Sequence, residues 1–407
     1  MRDAADDLIW QTRASRSHAA TTIVFRCHAS FLYGLAMDPI VSEPVRGTIG
    51  DASGLSLTGL EAMRRSVRGL APTSPIHHLF GLRPTEVGLG TSTFSMPVTP
   101  WLEDVVGIIW GGTYAIVADA PIATALYTGL PPGKLVSTSE LSINYLRPTT
   151  ADTGRLVARG RSVYLGRTVG VSEATIEDAL GRTMAHATTR CVIQDLPYDP
   201  DSELMEPIPP ITDPPDPYLR EAPESLKRDP SIWDERRRVD VQRSLSGTEA
   251  WGPIQALTGL NFVHAKVGAV SATLPASPWF SAGGPAMYGG LLAWACDSAL
   301  TGAVWSTLDQ GAIAPSLDLQ VRFLRPVMLD GSILDISGWV VHSGRSIRVA
   351  QAEVTNADGK TVAIASGSSL VLEGALEHLV RGERPDDVVR SLSQAVLKQS
   401  DLDAHAE

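Results

Sequence analysis

The sequence predicts an α+β protein made of two tandem copies of one unit, each an antiparallel sheet wrapped around a long central helix, together forming an intrachain pseudo-dimer. Three observations carry this. The chain matches itself without a gap at an offset of 178, from about Pro75 to about Ala187, with about 30 of roughly 113 positions identical, several times what ordinary compositions give by chance. Each copy then holds a stretch that follows a double glycine (Gly111-Gly112, Gly289-Gly290) and is apolar nearly all round, the mark of a helix buried inside a domain. After it come strand-like segments, so that a sheet can close over the helix.

Taken in order, residues 1–53 read as an N-terminal extension. Residues 1–36 carry no clear period, and Met37 opens a segment that reads like an ordinary protein start, so the beginning of the extension is expected to be poorly ordered. The first unit covers 54–196. It opens with an amphipathic helix over Gly54–Leu70, where Leu57, Leu60, Met63 and Val67 fall at helical spacing. Thr91–Val98 alternates as a strand, and the buried helix runs on from Gly112. Strands are predicted over Ser137–Leu146, Arg155–Tyr164 and Arg167–Ile176, the last two joined by Leu165-Gly166, with a fourth over Thr183–Val192.

Residues 197–235 are dense in acid and proline (Pro207, Pro209, Pro210, Pro214, Pro215, Pro217) and read as an extended strap. The second unit covers 236–373. Its matches include Leu319–Pro326 on Leu141–Pro148, Pro278-Trp279 on Pro100-Trp101, Gly344-Arg345 on Gly166-Arg167, and Asp297 on Asp119. Residues 374–407 alternate acid and base around Val388, Val389, Leu392 and Val396, the pattern of a surface helix at the chain end.

Hydrophobic residues at 43% and charged residues at 19% suit a soluble globular protein. A net charge of -11 repels nucleic acid and acidic membrane surfaces, so an anionic ligand must be met by local cations. Three cysteines (Cys27, Cys191, Cys296) without metal or disulfide spacing point to a reducing cytoplasm and to no structural zinc. Thr22–Ala36 is too short and too interrupted by Arg26 and His28 to span a bilayer or act as a secretory signal. His77-His78 has no partner at metal spacing and reads as surface or loop.

The residue with most to say is the aspartate in each buried helix. A carboxylate on an apolar helix is costly unless paired or used. Neither Asp119 nor Asp297 has Lys or Arg one turn away. A single such Asp reads as a cap or a solvent-facing group, but recurrence at one repeat position favours use. The double glycines stand at the helix starts, where free N–H groups and the helix dipole can polarise a carbonyl oxygen. Gly111 and Asp119 are separated by about 12 Å along one helix, so one helix cannot bring both to one reacting centre. Two antiparallel helices across a pseudo-twofold can. The repeated cations Arg147, Arg325, Arg167 and Arg345 suit strand-end ion pairs or carbonyl clamps, with a phosphate contact as the sharper alternative.

The stretch Trp101 to Asp119, with Asp104-Val-Val-Gly107-Ile-Ile-Trp110-Gly-Gly, resembles the motif Asn-x-x-Gly-x-x-His-Gly-Gly followed by an acidic residue in the hot-dog acyl-CoA thioesterases of the phenylacetate-pathway (PaaI-like) type. The Leu-Arg-Pro and Gly-Arg segments add to the resemblance, which covers both units. It implies a hot-dog fold. It also implies that Asp119 and Asp297 activate water or attack a thioester carbonyl, that Gly111 and Gly289 donate to the thioester oxygen, and that Thr138 and Ser316 orient water. One site then joins Asp297 and Ser316 to Gly111, and the other joins Asp119 and Thr138 to Gly289. Gly112, Gly290, Trp110, Tyr288, Arg167 and Arg345 fall at substrate-binding positions.

The departures from the motif are specific. Trp110 and Tyr288 replace its His, while Asp104 and Ala282 replace its Asn. Asp104 would set a second carboxylate near Asp297, with a proton shared between them. Pro121 interrupts the first helix and not the second, which favours Asp297 as the working acid.

The resemblance implies hydrolysis of a short, medium or aromatic acyl-CoA by Asp-assisted water attack in the cytoplasm. No cofactor is implied beyond the coenzyme A of the substrate, and pairing of pseudo-dimers into a larger assembly suits the fold. Trp110, Trp294 and Trp305 would narrow an acyl tunnel, or serve as core. The rival from another class is a non-catalytic acyl-CoA or fatty-acyl binding protein. A hydratase is a weaker third reading, since Trp110 and Tyr288 stand where it needs His.

Overall fold

A computed structural model describes residues 39–104, 108–209, 211–226, 231–247 and 252–404. The expectation for residues 1–36 therefore lies outside the described residues, as does Gly107 of the motif. In the first unit α1 (Gly59–Val67), α2 (Pro75–Phe80), β1 (Arg83–Gly88) and β2 (Thr91–Pro97) precede the central helix α3 (Thr113–Tyr127). Strands β3 (Lys134–Tyr145), β4 (Arg155–Leu165), β5 (Val169–Asp178) and β6 (Thr183–Asp195) follow it. After α4 (Ile232–Glu235), the order returns as α5 (Arg238–Leu245), α6 (Pro253–Thr258), β7 (Asn261–Lys266), β8 (Ala269–Pro275) and the central helix α7 (Gly289–Trp305). Strands β9 (Ser316–Phe323), β10 (Ile333–Ser343), β11 (Ile347–Thr355) and β12 (Thr361–Leu370) complete it, and α8 (Ala375–Val380) and α9 (Pro385–Ala404) close the chain.

The strands form one twelve-stranded sheet in the order β1-β2-β4-β5-β6-β3-β9-β12-β11-β10-β8-β7. Two six-stranded halves meet where β3 pairs antiparallel with β9. There Ser142 lies opposite Gln320, its own counterpart in the repeat, so the pseudo-twofold axis passes between those two residues. Glu140 opposite Arg322 and Asn144 opposite Asp318 are the symmetric positions on either side.

Each central helix lies against the inner face of its half. Close approach depends on a glycine in the adjoining strand: a Cβ at Gly160 would stand 2.4 Å from the Pro121 carbonyl oxygen, and one at Gly338 would stand 2.3 Å from that of Ala299. Pro121 does not end α3. Sheet hydroxyls bond to its carbonyls, Ser92 Oγ to Pro121 O at 2.8 Å and Ser172 Oγ to Ile122 O at 2.6 Å.

Several details differ from the sequence reading. The helix over Gly54–Leu70 is shorter: a 3-10 turn at Ala52–Ser56 comes first, and Thr58 and Glu61 form a reciprocal capping box that starts α1 at Gly59. Strands β1 and β7 have no counterpart in that reading, because edge strands need not alternate and β1 is interrupted by a bulge between Pro84 and Glu86. The strap is also shorter than its composition suggests. Pro217–Leu219 repeats the 3-10 turn near Ile40–Ser42, α5 repeats α1, and Gly69 and Gly247 share a left-handed backbone at φ 68 and 74, so the second unit's leading segment begins near residue 217.

These leading segments are crossed between the halves. Trp101 Nε1 donates to the Arg220 carbonyl at 2.8 Å, while its counterpart Trp279 donates to the Glu43 carbonyl at 3.0 Å. Arg220 and Glu43 then pair with each other at 2.7 Å. His77 and His78 lie half-buried in α2 rather than on a loop, and His78 Nδ1 bonds to Asp216 at 3.0 Å. The chain end is not only a surface helix, since Leu376 and Val388 are buried and Arg182 of the first unit reaches Asp386 at 3.2 Å.

Candidate active site

The two central helices run antiparallel, and each presents its aspartate to the other's N-terminus. Asp297 Oδ2 accepts the Gly112 N–H at 2.8 Å, and Asp119 Oδ2 accepts the Gly290 N–H at 2.9 Å. Such proximity needs small residues. A Cβ at Gly290 would lie 2.4 Å from the Ala115 carbonyl oxygen, and one at Gly112 would lie 2.9 Å from Trp294 Cα. The glycine N–H bonded to each aspartate is thus the second of its pair. Among the described residues, the N–H groups of Gly111 and Gly289 have no acceptor.

Around Asp297 stand Gly111, Ser316 and Tyr145. A Cβ at Gly111 would be 3.5 Å from Asp297 Oδ2 and 3.6 Å from both Ser316 Oγ and Tyr145 Cζ. The Tyr145 hydroxyl points at Asp297 Oδ1 over a long 3.4 Å. Around Asp119 the arrangement is related but tighter. Thr138 Oγ1 donates to Asp119 Oδ1 at 2.8 Å, and Phe323 stands where Tyr145 stands in the other site, with its Cζ 3.6 Å from a Cβ at Gly289. Both Asp119 oxygens are therefore held by short bonds, whereas Asp297 Oδ1 is the lightly held oxygen of the pair.

Burial sets the proton affinity of both acids. It raises Asp297 to about 7, against the lowering effect of the Gly112 N–H and Tyr145 hydroxyl, with the Asp318 charge adding to the rise. It raises Asp119 to about 6, against Thr138 and Gly290. The Tyr145 phenol is held well above its ordinary value by burial and then by the Asp297 charge, so it stays protonated as a donor.

The remaining expected residues divide. A second carboxylate whose charge raises Asp297 is that of Asp318, and Asp104 Oδ1 accepts the Ile108 N–H at 3.0 Å. Tyr288 is buried, and its hydroxyl donates to the Ile116 carbonyl at 2.8 Å, so it ties α7 to α3. Trp110 is buried with an indole N–H lacking a partner among the described residues, and Trp294 packs behind Gly112. Trp305 stands elsewhere, edge-on to Trp233 and beneath the Arg238 guanidinium. Arg167 and Arg345 are exposed at the β4–β5 and β10–β11 turns. Arg147 and Arg325 clamp the Thr183 and Thr361 carbonyls. Two surface grooves, one over the outer face of β2, β4 and β5 and one beneath α9, contain neither aspartate.

Tyr145 is the residue that the sequence reading missed. Its signal was present in the aligned Leu-Ser-Ile-Asn-Tyr-Leu-Arg-Pro and Leu-Gln-Val-Arg-Phe-Leu-Arg-Pro runs, where one hydroxyl distinguishes the two copies.

The model of the thioesterase superfamily matches residues 106–185 and again 284–363, each stretch spanning a central helix and most of the strands after it. The architecture is two hot-dog domains in tandem, as the sequence predicts. No curated protein matches the chain. Among solved structures, a tesB protein of Mycobacterium avium subs paratuberculosis is similar at 15% identity over 73% of this chain and 98% of its own, with a TM-score of 0.46. An acyl-CoA thioesterase II, TesB2, of Mycobacterium marinum is similar at 15% identity over 73% and 96%, with a TM-score of 0.43. A hot-dog protein of unknown function from Alicyclobacillus acidocaldarius is similar at 16% identity over 74% and 98%, with a TM-score of 0.47. Among the described residues no helix is long and apolar enough to cross a membrane.

Proposed function

We propose that the chain is an acyl-CoA thioesterase and that Asp297 is its working acid. The observation that carries this reading is the pairing of a buried carboxylate with the N-terminal glycines of the opposite helix, which places a base and a backbone donor around one centre. With its pKa raised to about 7, Asp297 is poised to take a proton from water at neutral pH. Oδ1 is the receiving oxygen, because Oδ2 is occupied by the Gly112 N–H.

Water attacks the thioester carbonyl while the Gly111 N–H, at the positive end of α3, meets the oxygen as its charge develops. The tetrahedral centre then collapses, the C–S bond breaks, and the proton held on Asp297 passes to the departing thiolate. Ser316 supports the orientation of water. Asp119, with both oxygens engaged, serves to lock α3 to α7. The reaction needs no metal or redox cofactor. The double glycines and repeated aspartates support the phenylacetate-pathway type within this class, and buried Cys191 and Cys296, both free, support a cytoplasmic setting.

A second reading is non-hydrolytic acyl-CoA binding. It is favoured by Tyr288, which stands at the motif histidine but spends its hydroxyl on the Ile116 carbonyl. Thiol release from a panel of acyl-CoA esters separates the two. Asp297→Asn is expected to lower kcat by about 10²- to 10⁴-fold, the range for a positioned general base, and Asp119→Asn by less than about tenfold. Acyl-CoA binding without turnover in the intact protein would establish the second reading.

A further inference from the structure

In the second half of the sheet the inner face is apolar nearly throughout, with Val270 and Ala350 where the first half has Ser92 and Ser172, yet one line across it is polar. Tyr145 and Ser316 border Gly111 at the Asp297 site. Ser369 pairs with Ser316 on one side and with Arg348 on the other, so these side chains share the inner face in successive strands β9, β12 and β11. The line continues the alternation that turns Ala350, Ala352 and Val354 inward on β11 and Ala365 and Gly367 inward on β12. Ser369 is buried, and Arg348 is half-buried. Two Arg348 nitrogens, Nε and Nη1, are buried and have no hydrogen-bond partner among the described residues.

The counterparts in the other half remove every polar feature but one. Phe323, Thr138, Cys191 and Gly170 stand where Tyr145, Ser316, Ser369 and Arg348 stand, in the same register. At Gly170 the space is filled, since a Cβ there would lie 2.8 Å from Leu126 Cδ2. In the second unit the counterpart of Leu126 is the smaller Val304.

An unpaired guanidinium inside a protein is costly, and it is retained where an anion completes it. Its planar fork suits a carboxylate. Two strand spacings separate Arg348 from Ser316, about 10 Å, which is the reach of an acyl chain of several carbons. The charge that bears on Asp297 is Asp318 rather than Arg348, in keeping with that separation. The phosphates of coenzyme A carry more charge and remain better solvated outside than beside nitrogens buried under the sheet.

We propose that Arg348 receives a carboxylate at the far end of the acyl group, so that the Asp297 site takes acyl-CoA esters of dicarboxylic acids. Ser316 and Ser369 line the path between the thioester and that carboxylate. The inference rests on the thioesterase reading for its kinetic form, but not for its binding form.

The test compares equal-length pairs, glutaryl-CoA with valeryl-CoA and adipyl-CoA with hexanoyl-CoA, on the intact protein and on Arg348→Met and Arg348→Lys. The expected result is at least a tenfold preference in kcat/KM for one or both carboxylate esters. Arg348→Met abolishes that preference and leaves valeryl- and hexanoyl-CoA turnover unchanged or raised, while Arg348→Lys keeps part of it. Thermal midpoints accompany each variant. A fall in midpoint with equal losses on both ester classes makes Arg348 structural and overturns the proposal. A loss confined to coenzyme A esters, absent with the matching acyl-pantetheine esters, assigns Arg348 to a phosphate and overturns it as well. If no ester turns over, the thioesterase reading fails. Calorimetric binding of adipyl-CoA against hexanoyl-CoA then decides the Arg348 proposal alone, and equal affinity refutes it.

Discussion

At the scale of single residues, a hydroxyl that stands beside Asp297 is missing beside Asp119. Tyr145 leans on Asp297 from 3.4 Å, and Phe323 cannot do the same for Asp119. Tyr145→Phe converts the first environment toward the second. Because the phenol helps hold Asp297 down against burial, its removal is expected to move the lower limb of the kcat/KM profile to higher pH and to reduce turnover by about tenfold. A profile that keeps its midpoint would show that the contact is idle. Both aspartates and all four glycines could be found in the sequence, because repetition marked them against an apolar background. Tyr145 could not, since a tyrosine in a strand looks like ordinary core until the partner it faces is known. Arg348 was hidden for the opposite reason: its counterpart is Gly170, so the repeat offers no match to notice.

At the scale of elements, the sheet and helices touch backbone to backbone. Gly338 admits the Ala299 carbonyl of α7, and Gly338→Ala would put a methyl 2.3 Å from that oxygen. The helix must lift, which is expected to cost about 1–3 kcal/mol and to loosen the Asp297 contact with Gly112. Chemical denaturation measures the first effect, and turnover of the folded variant measures the second. An unchanged midpoint would mean that the sheet yields instead. Alternation and the double glycine made β2 through β6 and α3 legible. Strands β1 and β7 escaped because edges obey no simple period. The leading segments escaped because proline and acid, which mark a strap, here also mark short turns clamped by Trp101 and Trp279.

At the scale of the whole molecule, two buried acids couple stability to pH. Burial raises Asp119 to about 6 and Asp297 to about 7, whereas in the unfolded chain both titrate near about 4. Between those limits the native state holds more protons than the unfolded chain, so stability declines as pH rises. The decline from this source ends above about 7. Each unit by which burial raises a carboxyl weighs about 1.4 kcal/mol. Denaturant midpoints measured from pH 4 to 8 are expected to fall more steeply for the intact protein than for the Asp119→Asn, Asp297→Asn double variant. Equal slopes would place the dependence elsewhere.

The axis between Ser142 and Gln320 has one more consequence. In a dimer of identical chains every mutation is written twice, and a change that suits one site is imposed on the other. Here the two halves share a backbone but not a genetic text, so Tyr145 can keep its hydroxyl while Phe323 lacks one, and Arg348 can exist beside no second arginine. Fusion gives an object that can divide labour between its two sites, each built from both halves, because a change in one site leaves the other as it was.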